Sequence, residues 1–347
     1  MPTTKSRKVF LDLLRILACF LVIVNHTNST IFLGHAPDSQ IWFVSLTYFF
    51  ISKIAVPIFF MISGYLLLSK VDSWKKALFR VLRIVIVLVV CGFIYSVYEA
   101  LHLYPGTPLW TQIQNTAFKV YSKTPSNALW YLYAYLGILL MLPFLQKMAQ
   151  AMKKQDYHIF FVISGLFVSV LPILTHYFPD FYLFVDFQLP LFSGYICMLF
   201  VGNYFARFEV KKNWIGFSIA AVLFVAALAF NVIATYYEYQ VSSTAYLFFD
   251  NRVFLPILVQ SACVFYMVSF VRLPEKVANV ICYIGSCTFG IYLISDIVIG
   301  LLETYYEQVS SVLHVFVAMI LYEICVFLIG LVITAILKFI PYVKKVL

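Results

Sequence analysis

Apolar residues run along this chain in long, nearly unbroken stretches separated by short polar segments. The runs fall near 9–29, 41–68, 82–102, 128–147, 157–177, 187–206, 213–236, 252–271, 277–301 and 313–339. Each is close to the roughly 20 residues that a helical membrane span needs. A transmembrane barrel would instead alternate apolar and polar positions, so it is excluded. The pattern predicts an all-α fold, a polytopic membrane bundle of about ten transmembrane helices.

Composition agrees, with 63% hydrophobic and 11% charged residues, against about 45–50% and 25% in soluble domains. The net charge of +9 raises the question of a nucleic-acid partner, and its distribution answers it. Placing the N-terminus inside puts most basic residues in cytoplasmic segments: Lys5, Arg7 and Lys8; Lys70 to Arg83; Lys147 to Lys154; Arg207 to Lys212; Arg272 and Lys276; Lys338 to Lys345. The outer segments are acidic, with Asp38, Asp180, Asp186, Glu238, Asp250, Glu303 and Glu307. This asymmetry predicts both termini in the cytoplasm and no nucleic-acid partner. The seven cysteines lie in apolar runs without metal spacing, so they read as small buried hydrophobes, and no metal is expected. The basic N-terminus resembles a signal-peptide n-region, but the run after it carries charges and lacks a small-residue cleavage site, so a retained anchor is predicted. Short loops predict one integral-membrane domain over 1–347 without a fused soluble domain.

The first span, LDLLRILACFLVIVNHT, holds Asp12, Arg15 and His26. Each ionisable group within a span costs at least about 2.5–3.5 kcal/mol on insertion scales, so each calls for a role. Arg15 and His26 are eleven residues apart, which brings them within about 20° of one helix face and about 16 Å apart along the axis. The expected arrangement is a cation near the cytoplasmic end and an imidazole near mid-membrane, two stations along one cavity. Asp12 is one turn before Arg15, at pairing distance.

Four other stretches stand out. In SKIAVPIFFMISGYLLLSK, Pro57 predicts a kink. Ser63, Gly64 and Tyr65 make either a packing notch or a substrate contact. Lys76, Arg80 and Arg83 share a helix face, suiting either a snorkelling anchor at lipid or a phosphate clamp. Trp130 opens the fourth span among tyrosines, as interfacial belt or pocket wall. Asp296 in the ninth span, Glu323 in the tenth and Lys53 in the second should face protein or water. The remaining histidines lie near span ends, where solvation suffices. The connection at 103–127 is read as a loop, a lid or a re-entrant segment.

Together these stretches resemble the acyltransferase 3 family of integral-membrane acyltransferases. The likeness rests on Arg15 and His26, on VPIFFMISGYLLL at 56–68, on Arg80 and Arg83, on LWYLYAYLGILLMLPFL at 129–145 and on SCTFGIYLI at 286–294. It covers nearly the whole chain in order, and it is closest to stand-alone members. The resemblance implies transfer of an acyl group, usually acetyl, from cytoplasmic acetyl-CoA (acyl-CoA) to a hydroxyl of a surface polysaccharide or lipid-linked sugar. It also implies a plasma membrane, the inner or cytoplasmic membrane of a bacterium. The family's arginine and histidine correspond to Arg15 and His26, its later basic pair to Arg80 and Arg83, and its tryptophan to Trp130. Relatives commonly carry histidine where IYLI here continues with Ser295, before Asp296. The expected catalytic residues are His26, as base for the hydroxyl, and Arg15. Arg80, Arg83 and Lys76 are the expected binders of the CoA phosphates, and Trp130, Ser63, Tyr65, Asp12 and Asp296 line the substrate path. Intramembrane charges alone serve two other readings: a transporter or flippase of a lipid-linked sugar, and a non-catalytic partner of a glycan-assembly complex.

Overall fold

The computed structural model describes residues 8–343 except 29–30, 32–33, 38, 103–105, 107, 123, 125, 179, 181–192, 209, 243–247, 252 and 342. Among the described residues the regular structure is helical. The helices are α1 (Val9–Thr27), α2 (Gln40–Ser52), α3 (Ala55–Leu67), α4 (Trp74–His102), α5 (Leu109–Ser122), α6 (Trp130–Ala151), α7 (Lys154–Gly165), α8 (Leu171–Tyr177), α9 (Gly194–Arg207), α10 (Trp214–Ser242), α11 (Leu255–Val268), α12 (Glu275–Ser310) and α13 (Val315–Leu337). A 3₁₀ turn, Asn127–Leu129, leads into α6, and a π-turn, Leu166–Val170, joins α7 to α8.

Eight helical stretches are long and apolar enough to cross a membrane, among them Gln40–Leu67 and Lys154–Tyr177, each made of two helices. The expected sixth and eighth spans are shorter. Gly194–Arg207 and Leu255–Val268 have 14 residues each, or about 21 Å at 1.5 Å per residue, less than the hydrocarbon thickness of about 30 Å. Residues 187–192 and Arg252, which the expected sixth and eighth spans include, lie outside the described residues.

The second span breaks where its proline demands. Pro57 is the third residue of α3, a position whose N–H has no intrahelical acceptor anyway. The carbonyl four residues earlier, on Lys53, therefore receives no helical bond, and the helix interrupts at Lys53 and Ile54. The expected kink is thus a full break, one turn upstream of Pro57. The connection at 103–127 is no ordinary loop: it contains α5, whose Gln112 and Thr116 are buried while Trp110 is exposed. Tyr133 of α6 holds it by donating to the Val120 carbonyl at 2.7 Å.

The chain divides into two compact units. The first joins the chain up to Val71 with Gln146–Gly285, and the second joins Asp72–Leu145 with the chain from Ser286. Within the first unit, α3 and α9 cross at main-chain contact. A Cβ on Gly64 would meet the Leu199 carbonyl oxygen at 1.7 Å, and one on Gly202 would meet that of Met61 at 1.8 Å. Only glycine fits at either position, and the two helices touch through their backbones. An aromatic cluster of Trp42, Phe49, Phe50, Phe249 and Phe254 fills the same unit near α2. Within the second unit, α12 and α13 pack with Gly290 against Thr334 and Gly330 against Ile291. Lys338, which ends α13, donates to the Ser286 carbonyl and hydroxyl, both at 2.6 Å.

Candidate active site

α1 forms because its apolar positions repeat at helical spacing and leave one polar stripe. Leu11, Leu14, Ala18, Leu21 and Val22 are buried. Arg15 donates from Nη1 to Asp12 Oδ1 at 2.6 Å, the i,i+3 pair expected from spacing. The Asp12 side chain is fully buried, while that of Arg15 keeps 27% exposure. A carboxylate removed from water needs such a partner. Gly285 of α12 supplies the room: a Cβ there would lie 2.7 Å from the Asp12 Cβ and 2.9 Å from its Oδ1. The guanidinium is thus held in one place by a buried anion that is itself clamped against a backbone.

His26 sits in the last turn of α1. The helix ends at Thr27, two residues before the expected end of the span at residue 29. Polar contacts tie this end to its neighbours. Asn28 donates to the Ser45 carbonyl at 2.8 Å and accepts from the Ser45 hydroxyl at 3.2 Å. Ser52 donates to Asn25 at 3.4 Å. Next to Ser52 is the break between α2 and α3, where buried Lys53 pairs with Asp250 and lies 3.9 Å from the Phe49 ring centroid. The half-buried histidine thus lies along the chain between Asn25 and Asn28, two amides that accept from α2 hydroxyls.

Ser63 and Tyr65 flank the glycine of the α3–α9 crossing. The Ser63 hydroxyl donates to the Phe59 carbonyl of its own helix at 2.9 Å. Tyr65 accepts from Lys8 and has Lys8 Nζ 4.8 Å from its ring centroid. It lines a cavity of about 530 Å³ at the foot of α1, together with Phe10, Phe205 and Phe265. Sequence spacing missed this cavity, since its walls come from four helices distant along the chain.

In the second unit, the basic face of α4 is partly neutralised. Lys76 and Arg80 both donate to Asp72, at 2.7 and 2.6 Å, one to each carboxylate oxygen. Arg83 is exposed further along the same helix. Elsewhere in this unit, Asp296 of α12 accepts from the Ser126 hydroxyl and, at 3.2 Å, from the Ala128 N–H. Tyr292, one turn before, donates to the Ala128 carbonyl at 2.6 Å. Asp296 therefore caps the turn that opens α6, where Trp130 begins the helix and Tyr131 meets Tyr292 edge-on. Ser295 donates to its own helix at the Tyr292 carbonyl. Among the described residues, no group of three or more His, Cys, Asp or Glu side chains is placed to hold a metal ion.

The ten sequence-predicted residues thus fall into two sets. Asp12, Arg15, His26, Ser63 and Tyr65 belong to the first unit, and Lys76, Arg80, Arg83, Trp130 and Asp296 to the second. No curated protein and no solved structure matches the chain. The family model of an acyltransferase domain, Acyl_transf_3, matches residues 8–339. That stretch takes in every one of these residues and all eight membrane-crossing segments, and so the chain belongs to the acyltransferase 3 family and is a multi-pass membrane acyltransferase.

Proposed function

We propose that the protein moves an acetyl or related acyl group from cytoplasmic acyl-CoA to a hydroxyl of a surface polysaccharide or lipid-linked sugar, with His26 as the base. The observation that carries this reading is the polar stripe of α1 within an acyltransferase chain. A guanidinium fixed by a buried carboxylate and an imidazole in a polar setting share one helix face, about 16 Å apart along the axis. Acyl transfer needs a base for the attacking hydroxyl and positive charge near the thioester or its phosphates.

In the proposed reaction the sugar hydroxyl gives its proton to His26 as its oxygen attacks the thioester carbonyl. The C–O bond forms, the C–S bond breaks, and the imidazolium returns the proton to the departing thiolate. Products are the O-acyl sugar and free CoA, and His26 is neutral again. An unperturbed imidazole pKa near 6.5 suits that exchange at neutral pH. At 16 Å, Arg15 serves the donor and not the imidazole, and Asp12 is its positioning residue.

The test is glycan acylation by His26→Ala at wild-type protein abundance. A fall of about two to four orders of magnitude is expected for loss of a general base. Unchanged acylation rejects the assignment. Acyl-CoA consumption in proteoliposomes without net sugar movement separates this reading from a flippase.

A further inference from the structure

The cavity at the foot of α1 is strongly basic. Lys8, Arg207, Lys211 and Lys212 line it, and its described walls include no acid, Glu209 lying outside the described residues. Neutral groups hold these cations. Lys8 donates to the Tyr65 hydroxyl, Lys212 to the Ser269 carbonyl at 2.7 Å, and Arg207 to the Gln150 carbonyl at 3.0 Å. Among the described residues none of the four pairs with a carboxylate. The Lys212 ammonium has its pKa pushed down, first by partial burial and then by the charges of Lys8 and Arg272. These cations repel one another, and an anion placed among them relieves that repulsion.

The walls narrow the choice of anion. Phe10 meets Phe265 and Tyr65 edge-on at 5.8 and 5.7 Å, and Phe205 lies 5.1 Å from Phe265. Aromatic faces beside clustered cations suit a planar base joined to phosphates. The cavity also lies in line with the α1 stripe. Lys8 is seven residues before Arg15 and eighteen before His26, so all three fall within about 20° of one line, about 10 and 27 Å apart along the axis. A phosphopantetheine arm has thirteen bonds from phosphorus to sulfur and extends about 15 Å by backbone dimensions. A pyrophosphate near the level of Arg15 therefore brings the thioester toward His26 and leaves the nucleotide at the cavity.

We infer that the cavity walled by Lys8, Tyr65, Arg207, Lys211 and Lys212 is a phosphate site that takes the 3′-phosphoadenosine end of the acyl donor. This rests on the acyl-CoA reading above. It moves the nucleotide site from the α4 stripe, where Asp72 already engages Lys76 and Arg80, to the first unit. Phospholipid headgroups share the phosphate chemistry but bring no planar base to the aromatic walls.

Binding to the full-length protein in zwitterionic nanodiscs tests the inference, with CoA and with dephospho-CoA, which lacks the 3′-phosphate. Wild type is expected to prefer CoA. Lys8→Gln/Lys211→Gln/Lys212→Gln is expected to bind CoA at least tenfold more weakly and to lose the preference, and Lys212→Gln alone to show part of the effect at an unchanged melting temperature. If wild type binds CoA and the triple variant binds it equally well, the cavity assignment is overturned while the donor reading stands. If wild type does not bind CoA, both fall. If only capture of anionic phospholipid from mixed nanodiscs is lost, the site belongs to lipid and the inference is overturned.

Discussion

At the scale of single residues, the Asp12–Arg15 pair is the feature with the clearest energetic consequence. Its carboxylate is fully buried and its arginine side chain keeps about a quarter of its exposure, so deleting either partner strands the other. Asp12→Ala is expected to lower stability by about 2–4 kcal/mol, somewhat less than for a fully buried pair because Arg15 keeps solvent contact. Adding Arg15→Met should recover part of that loss, and a double-mutant cycle by thermal unfolding measures the coupling. Gly285→Ala is expected to act on the same pair through space, since its Cβ would meet Asp12 at 2.7 Å. A cost of about 1–3 kcal/mol is expected for such overpacking. The pair was legible from the sequence because its partners are one turn apart on one helix. The pressure from Gly285 was not, since it arises between segments far apart in the chain. The same limit applies to Asp72: spacing put Lys76 and Arg80 on one face, but where the preceding loop sets its carboxylate is a tertiary fact.

At the scale of elements, ionisable residues within spans turn out to organise helix ends and breaks. Asp296 caps the turn at Asn127–Leu129 that starts α6. Asp296→Ala is expected to cost about 0.5–2 kcal/mol, as for loss of a helix cap. If its role is structural, acylation per folded molecule stays at the wild-type level, while a substrate contact would lower it at equal abundance. Lys53 likewise sits where Pro57 frees its carbonyl, and its ammonium pairs with Asp250. Sequence reading found both residues by their cost inside a span, since that cost depends on composition alone. What each does there depends on which helix end it meets. The existence of the helices was legible for the same reason, because apolar runs of span length have few alternatives. Their ends were less so: α12 continues to Ser310 through polar residues that propagate a helix without needing a membrane. The two 14-residue helices fall short of the runs that announced them.

At the scale of the molecule, the charge asymmetry along the chain makes a topological prediction. Ser73 precedes α4 on the basic side, and Leu313 follows α12 on the acidic side. With both termini cytoplasmic, a membrane-impermeant maleimide added to intact cells should label Leu313→Cys and spare Ser73→Cys. The reverse result inverts the orientation and, with it, the side from which a donor enters. Burial differs widely among the spans, with 67% of the apolar window of Gln40–Leu67 buried against 11% in Trp214–Val241. The span that carries Ser63 and Tyr65 is thus the one most enclosed by protein. Its crossing with α9 also fixes how much that span can yield. Gly64, where the two backbones touch, is one residue from Tyr65, so Gly64→Ala is expected to cost more than about 3 kcal/mol and to deplete the folded protein. The aromatic wall that Tyr65 provides then hangs from a main-chain hinge pin and not from a rotatable packing contact. Such a wall is not expected to retreat before a bulkier guest, so a ligand of the site proposed above is expected to be selected by fit to a fixed width.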